Sequence, residues 1–132
     1  MKKIFLFALI AAFAFVAEAQ TYKFYATDFK FKTIDKDGVW SEWSKWESTH
    51  SLVSISLDRN VVSIYSKVMQ EFDIYEELNV KENENAETYA YKAVDQNGIR
   101  CKIFLVFMND GLICLCIKYL DIIYAYNIVL RN

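Results

Sequence analysis

The chain has no proline, only three glycines and a single histidine. Nothing in it reads as low-complexity sequence or as an internal repeat. One histidine excludes an H-E-x-x-H metal helix, and glycine this scarce leaves no phosphate-cradling loop and no G-x-S-x-G nucleophile elbow. Cysteine numbers three, Cys101, Cys114 and Cys116, so a fully paired disulfide framework is excluded. Cys114 and Cys116 belong to one face of one strand, a poor geometry for a bridge. Their spacing is not that of a zinc site, and no histidine completes one. The three read as small buried hydrophobes. Positive charge is not in excess either: the formal net charge is −2, or −3 without residues 1–19. That argues against a nucleic-acid surface, which gathers Lys and Arg.

What is present begins with a leader. Met1-Lys2-Lys3 is followed by uncharged residues 4–17, then by Ala17-Glu18-Ala19, with small residues three and one before a cut at Gln20. A basic start, an apolar run and small-x-small is the layout of a secretory signal. The run is shorter than the roughly 20 residues of a membrane-spanning helix, and no cysteine near the cut offers a lipid anchor. The expected organisation is a signal peptide at 1–19 and one domain at 20–132. That domain is expected outside the cytoplasm, periplasmic or extracellular, with no stable membrane insertion after cleavage.

Aromatic and β-branched residues fill the remainder, and these suit a pleated, half-buried surface. Residues 22–34 alternate, with Phe29 and Phe31 on one face and Lys30 and Lys32 on the other. Asp37-Gly38, Asn97-Gly98 and Asp110-Gly111 read as two-residue hairpin loops. A turn at Arg59-Asn60 would set Leu57 against Val62 and Ile55 against Ile64. Further strands are expected at 71–78, 88–95, 99–108, 112–120 and 122–130, with 79–85 a mobile polar loop. The expected fold is all-β: an antiparallel meander of eight to nine strands closing into a small, lipocalin-like up-and-down barrel or rolled sheet. A two-sheet sandwich is the second choice. No long helix is expected after residue 20.

In the last hairpin a two-residue loop puts Phe104, Val106 and Met108 on one face with Ile113, Leu115 and Ile117. Ile103, Leu105 and Phe107 then share the other with Cys114 and Cys116. Both faces are apolar, although a sheet with one wet side should alternate. The second face is covered by another layer of the domain or by a partner. Phe104, Val106, Ile113, Leu115 and Ile117 are therefore the candidate partner interface.

Trp40, Trp43 and Trp46 recur at every third residue. The stripe is similar on paper to that of thrombospondin type 1 repeats, but the supporting cysteines are missing and that family is rejected. In a strand a spacing of three alternates faces, placing Trp46 opposite Phe29. Trp43, with Tyr65, is a candidate aromatic platform for a flat ligand such as a sugar ring. The competing reading has Trp40 and Trp46 in the core and Trp43 as a cation–π partner of Lys32.

Catalytic chemistry is hard to find. His50 has nothing in sequence to orient it as a base. Glu71 and Asp73 are spaced to share a strand face as acid and base, but such pairs are mostly a solvated face. Asp35-Lys36-Asp37-Gly38 lacks the remaining ligands of a calcium loop and reads as a turn. Lys92 stands among apolar neighbours, opposite Ile103, and either snorkels to the rim or anchors an anionic ligand inside the barrel. No catalytic residue, cofactor or metal is expected.

Ala19-Gln20-Thr21-Tyr22-Lys23-Phe24, Trp43-Ser44-Lys45-Trp46, Val62-Ser63-Ile64-Tyr65-Ser66, Val94-Asp95-Gln96-Asn97-Gly98 and the ending Tyr126-Asn127-Ile128-Val129 carry a resemblance. Together they resemble small exported proteins of unknown function from Bacteroidetes-type bacteria and their gut phages. The resemblance implies a bacterial or phage setting and brings no activity and no functional residue.

The expected function is a non-enzymatic binding protein for an unknown small ligand, using the barrel interior or the aromatic face. The alternative is an interaction or inhibitor module that docks on a protein partner, or on a second copy as a homodimer, through hairpin 99–120. A carboxylate hydrolase is the weakest of the three, because no positioned catalytic set is legible.

Overall fold

The computed structural model describes residues 21–131. The signal peptide expected at 1–19 and its cut before Gln20 lie outside the described residues. Nine strands follow in chain order: β1 Thr21–Thr33, β2 Glu47–Ser56, β3 Val61–Tyr65, β4 Met69–Glu77, β5 Lys81–Glu82, β6 Ala86–Asp95, β7 Arg100–Met108, β8 Ile113–Lys118 and β9 Ile122–Leu130. They form one antiparallel sheet in the order β4-β3-β2-β1-β9-β8-β7-β6-β5, and a further β4–β6 pairing joins its ends. Eight strands thus close into a barrel, and β5 is an extra strand beside β6. Closure removes the exposed edges on which a meander of this composition would aggregate.

Alternation explains the core. Ser51, Val53 and Ile55 of β2 are buried and alternate with half-exposed Leu52 and Ser54, and Cys101 and Ile103 of β7 are buried on either side of exposed Lys102. Val53, Ile64, Phe72, Ile103, Leu115 and Ile117 are almost wholly buried and fill the interior. β1 needs a correction to serve at both ends. Its register shifts between Ala26 and Asp28 against both neighbours: against β9 Thr27 is an extra, bulged residue, whereas against β2 the extra residue lies on β2. Inward positions pass from Phe24 and Ala26 to Phe29 and Phe31, leaving Lys30 and Lys32 outside as the alternation requires.

The glycine turns depart from expectation in a consistent way. Gly38, Gly98 and Gly111 have φ of 82°, 80° and 93°, a region that suits residues lacking a Cβ. Each donates its N–H to the carbonyl three residues earlier, at Asp35, Asp95 and Met108, at 3.0 Å. Those residues in turn donate their own N–H groups to the carbonyls of Val39, Ile99 and Leu112 at 2.9 Å. These are three-residue loops, a type I turn completed by a glycine bulge, not two-residue loops. One additional residue shifts the register by one and exchanges the faces of the returning strand. Leu105 therefore pairs with Leu115, Val106 with Cys114, and Lys92 with Lys102 rather than Ile103.

Two other departures are milder. β2 and β3 pair Ile55 with Val62 and Val53 with Ile64, two residues from the expected register, so every side chain keeps its face. The segment at 79–85, expected as a mobile loop, contains β5, and Asn83 Oδ1 accepts from the N–H groups of Asn85 and Ala86 at 2.7 and 2.9 Å. Trp40 to Trp46 form no strand: after one bridge between Trp40 and Ile34 the chain runs beside β1 without a ladder.

Candidate functional site

The corrected hairpin register builds the interior. Ile103, Leu105 and Phe107 point inward with Ile113, Leu115 and Ile117, and all of these but Ile117 join Phe24, Val62 and Ile74 around a cavity of about 340 Å³. The rim at the end where β2 turns into β3 is formed by Leu57, Leu78, Val80 and Leu130. A cavity of about 150 Å³ lined by such residues stays dry and takes up benzene, so this one has room for a molecule roughly twice as large.

Its polar groups are few. Tyr22, Tyr89 and Tyr91 line the wall and Glu77 the rim, and the lining includes no lysine, arginine or histidine. The Tyr89 hydroxyl donates to Glu87 Oε2 at 2.8 Å. Glu87 is 1% exposed, and its Oε1 has no hydrogen-bond partner among the described residues. Burial pushes the Tyr89 phenol well above the ordinary range, and the Glu87 hydrogen bond and charge add to the shift. Burial also raises Tyr91, with the Glu77 charge as the second cause. Since Tyr89 commits its proton to Glu87, its oxygen offers the cavity only lone pairs. Phe107 meets Tyr89 edge-on at 5.9 Å, fixing the ring.

The opposite end of the barrel holds a wider, solvent-open cleft of about 1070 Å³. Inward Cys101 and outward Lys102 both line it, so it is a wrapped surface and not one chamber. There Tyr119 donates to Asp95 Oδ2 at 2.8 Å.

Of the residues singled out from sequence, Ile113 and Leu115 line the cavity, Lys92 and Ile117 line the wider cleft, and Trp43, Tyr65, Phe104 and Val106 line neither. Trp43 is stacked with lysines: Lys30 Nζ lies 4.7 Å from its ring and 4.4 Å from that of Trp46, and Lys32 Nζ lies 4.8 Å from Trp43 and 5.9 Å from Trp40. Trp46 is 45% exposed and is not a core residue. Tyr65 is on the outer face of β3, reached through Leu52 from Tyr25. That is some five residues, about 17 Å of strand, from Lys30. Trp43 and Tyr65 do not make one platform. Lys92 stands outside the barrel, 3.7 Å from Glu76 and beside Lys102 and Lys118 on the next two strands. It does not reach the interior. Phe104 and Val106 face outward, whereas Ile113, Leu115 and Ile117 face inward, so the five do not form a single surface. His50 is exposed on β2, and Glu71 and Asp73 are exposed on β4.

Sequence reading missed Glu87. The inward series Glu87, Tyr89, Tyr91 was legible as alternation, but which face closes inward depends on the distant β4–β6 pairing. Comparison with protein-family models, with curated proteins and with solved structures finds no match for this chain.

Proposed function

We propose that this protein is an exported, non-enzymatic binding protein that holds a small, largely apolar molecule inside its barrel. The observation that carries this reading is the 340 Å³ cavity, walled by aliphatic and aromatic side chains and opening at one rim. Pockets of this size, mostly apolar with a few placed polar groups, are the ordinary form of small-molecule sites. The Tyr89 oxygen and the Glu77 carboxylate both ask for a donor, so the favoured ligand has an apolar body ending in an N–H or O–H group. Export rests on the leader sequence at residues 1–19. Docking through hairpin 99–120 has less support, since Ile113 and Leu115, two of the five residues named for it, line this cavity.

The test is titration of the purified protein with N-phenyl-1-naphthylamine, an apolar fluorophore with one N–H. Saturable 1:1 enhancement is expected, and it should disappear in Leu105→Trp and Leu57→Trp variants that keep the parent's far-ultraviolet circular dichroism. No enhancement, or enhancement that both variants retain, would overturn the proposal. The intact mass of protein recovered after export should correspond to a chain beginning at Gln20.

A further inference from the structure

Cys114 and Cys116 flank the inward Leu115 on β8, which places both thiols on the outer wall. Their sulfurs are 3.6 Å apart, and both side chains are free and half-buried. Cys116 lies between Phe104 and Ala125, and Cys114 between Val106 and Asn127. Lys30 is the next residue in the row, opposite Ala125 on β1. Its ammonium is held near this spot by the rings of Trp43 and Trp46. The hydrogen bond between the thiols lowers Cys114 and raises Cys116, and the Lys30 charge favours the thiolate at both. Cys101 is separate from this pair: it faces inward, and burial pushes its thiol up to about 11.

Two sulfurs that bracket one two-coordinate ion stand apart by about twice a metal–sulfur distance of roughly 2.3 Å, so this pair, 3.6 Å apart, must open by a side-chain rotation to form the chelate. Among the described residues no group of three or more His, Cys, Asp or Glu could hold a metal, which excludes a closed, four-ligand zinc centre there. Thiolates alone select soft ions. A monovalent ion between two thiolates leaves one negative charge, and Lys30 supplies the matching positive one. With a divalent ion the complex would be neutral and would gain nothing from the Lys30 charge.

We propose that Cys114 and Cys116 form an open two-thiolate site for a soft monovalent cation of the copper(I) and silver(I) class, with Lys30 as counter-charge. Binding releases one proton from each thiol and changes no oxidation state. The site is on the outer wall and the cavity is inside, so this inference and the proposed ligand binding stand or fall separately.

The test is native mass spectrometry of the reduced protein with silver(I), and competition with bicinchoninate for copper(I) under anaerobic conditions. One metal per chain is expected, with Cys114 and Cys116 both protected from maleimide. Cys114→Ser and Cys116→Ser should each weaken binding by more than the roughly 10–100-fold that loss of an outer-shell partner costs. Lys30→Met should weaken it about tenfold, within that range, and Cys101→Ser should leave it unchanged. Binding that survives both single serine variants, that is lost with Cys101→Ser, or that needs two chains per metal would overturn the proposal.

Discussion

Ser44 answers Phe31 twice: its amide donates to the Phe31 carbonyl at 2.8 Å, and its Oγ accepts from the Phe31 N–H at 2.9 Å. Ser41 does the same for Thr33, at 2.7 and 3.0 Å. A serine side chain thus replaces the missing strand carbonyl wherever β1 extends past β2. Three residues of the segment advance for every two of β1, so each third side chain, Trp40, Trp43 and Trp46, comes round to the lysine side. Ser44→Ala should leave the Phe31 N–H without its acceptor and cost about 1–2 kcal/mol in urea unfolding. An unchanged midpoint would mean that water takes the serine's place.

All three tryptophans of the chain belong to this segment, so tryptophan emission, excited where tyrosine does not absorb, reports it alone. Lys30→Met removes the cation between Trp43 and Trp46 while keeping a similar stem. At about 0.5–1 kcal/mol per exposed cation–π contact, a loss of about 1–2 kcal/mol is expected, with a shift in emission. Lys92→Met, on the same outer wall but away from the rings, should leave the spectrum alone.

Register can be tested with two carboxylates. Leu115 is fully buried on the inner face and Val106 faces outward. Leu115→Asp places a charge among apolar neighbours and should prevent folding or cost more than about 4 kcal/mol. Val106→Asp should cost about 1–2 kcal/mol, because its charge can reach water. A two-residue loop at Asp110-Gly111 would put both on one face and make the two variants alike.

Acid stability should depend on Asp95. Burial alone would raise its carboxyl, but hydrogen bonds from the Ile99 N–H, the Tyr119 hydroxyl and the Asn97 N–H outweigh it and hold the group below its ordinary value. A depressed carboxyl contributes stability that is complete above the ordinary value of about 4 and is lost as pH falls through the folded value. Tyr119→Phe should therefore be less stable than the parent at pH 7, with the gap narrowing as pH falls towards 3. Thermal melts across that range check the sign; a gap that widens in acid would contradict it.

Much of the barrel was legible because strands announce themselves by alternation. Phe29 and Phe31 against Lys30 and Lys32 set their faces without help, and β9 was expected at its observed ends. The glycine turns were misread for a local reason. Asp-Gly and Asn-Gly suit a two-residue loop and the last positions of a three-residue loop equally, and only the residue before them decides. Asp35 and Asp95 each accept two backbone N–H groups through Oδ1, the habit of aspartate at the first position of a type I turn. That signal was present three residues ahead of Gly38 and Gly98. At Gly111 the corresponding residue is Met108, and nothing local distinguishes the loops. The tryptophan segment escaped because its period of three belongs to neither strand nor helix, and the Thr27 bulge because the flanking residues alternate well on each side.

β6 gives one edge to two partners. Tyr91 and the residues after it pair with β4, whereas Glu87 and Thr88 pair with β5, and between them Ala90 accepts from the Leu78 N–H at 2.9 Å. The hoop that keeps the eight strands in a ring and the flap that borders the cavity mouth are therefore fastened independently. Peeling the flap away at Lys81 and Glu82 would widen the doorway beside Val80 while the hoop stays buckled.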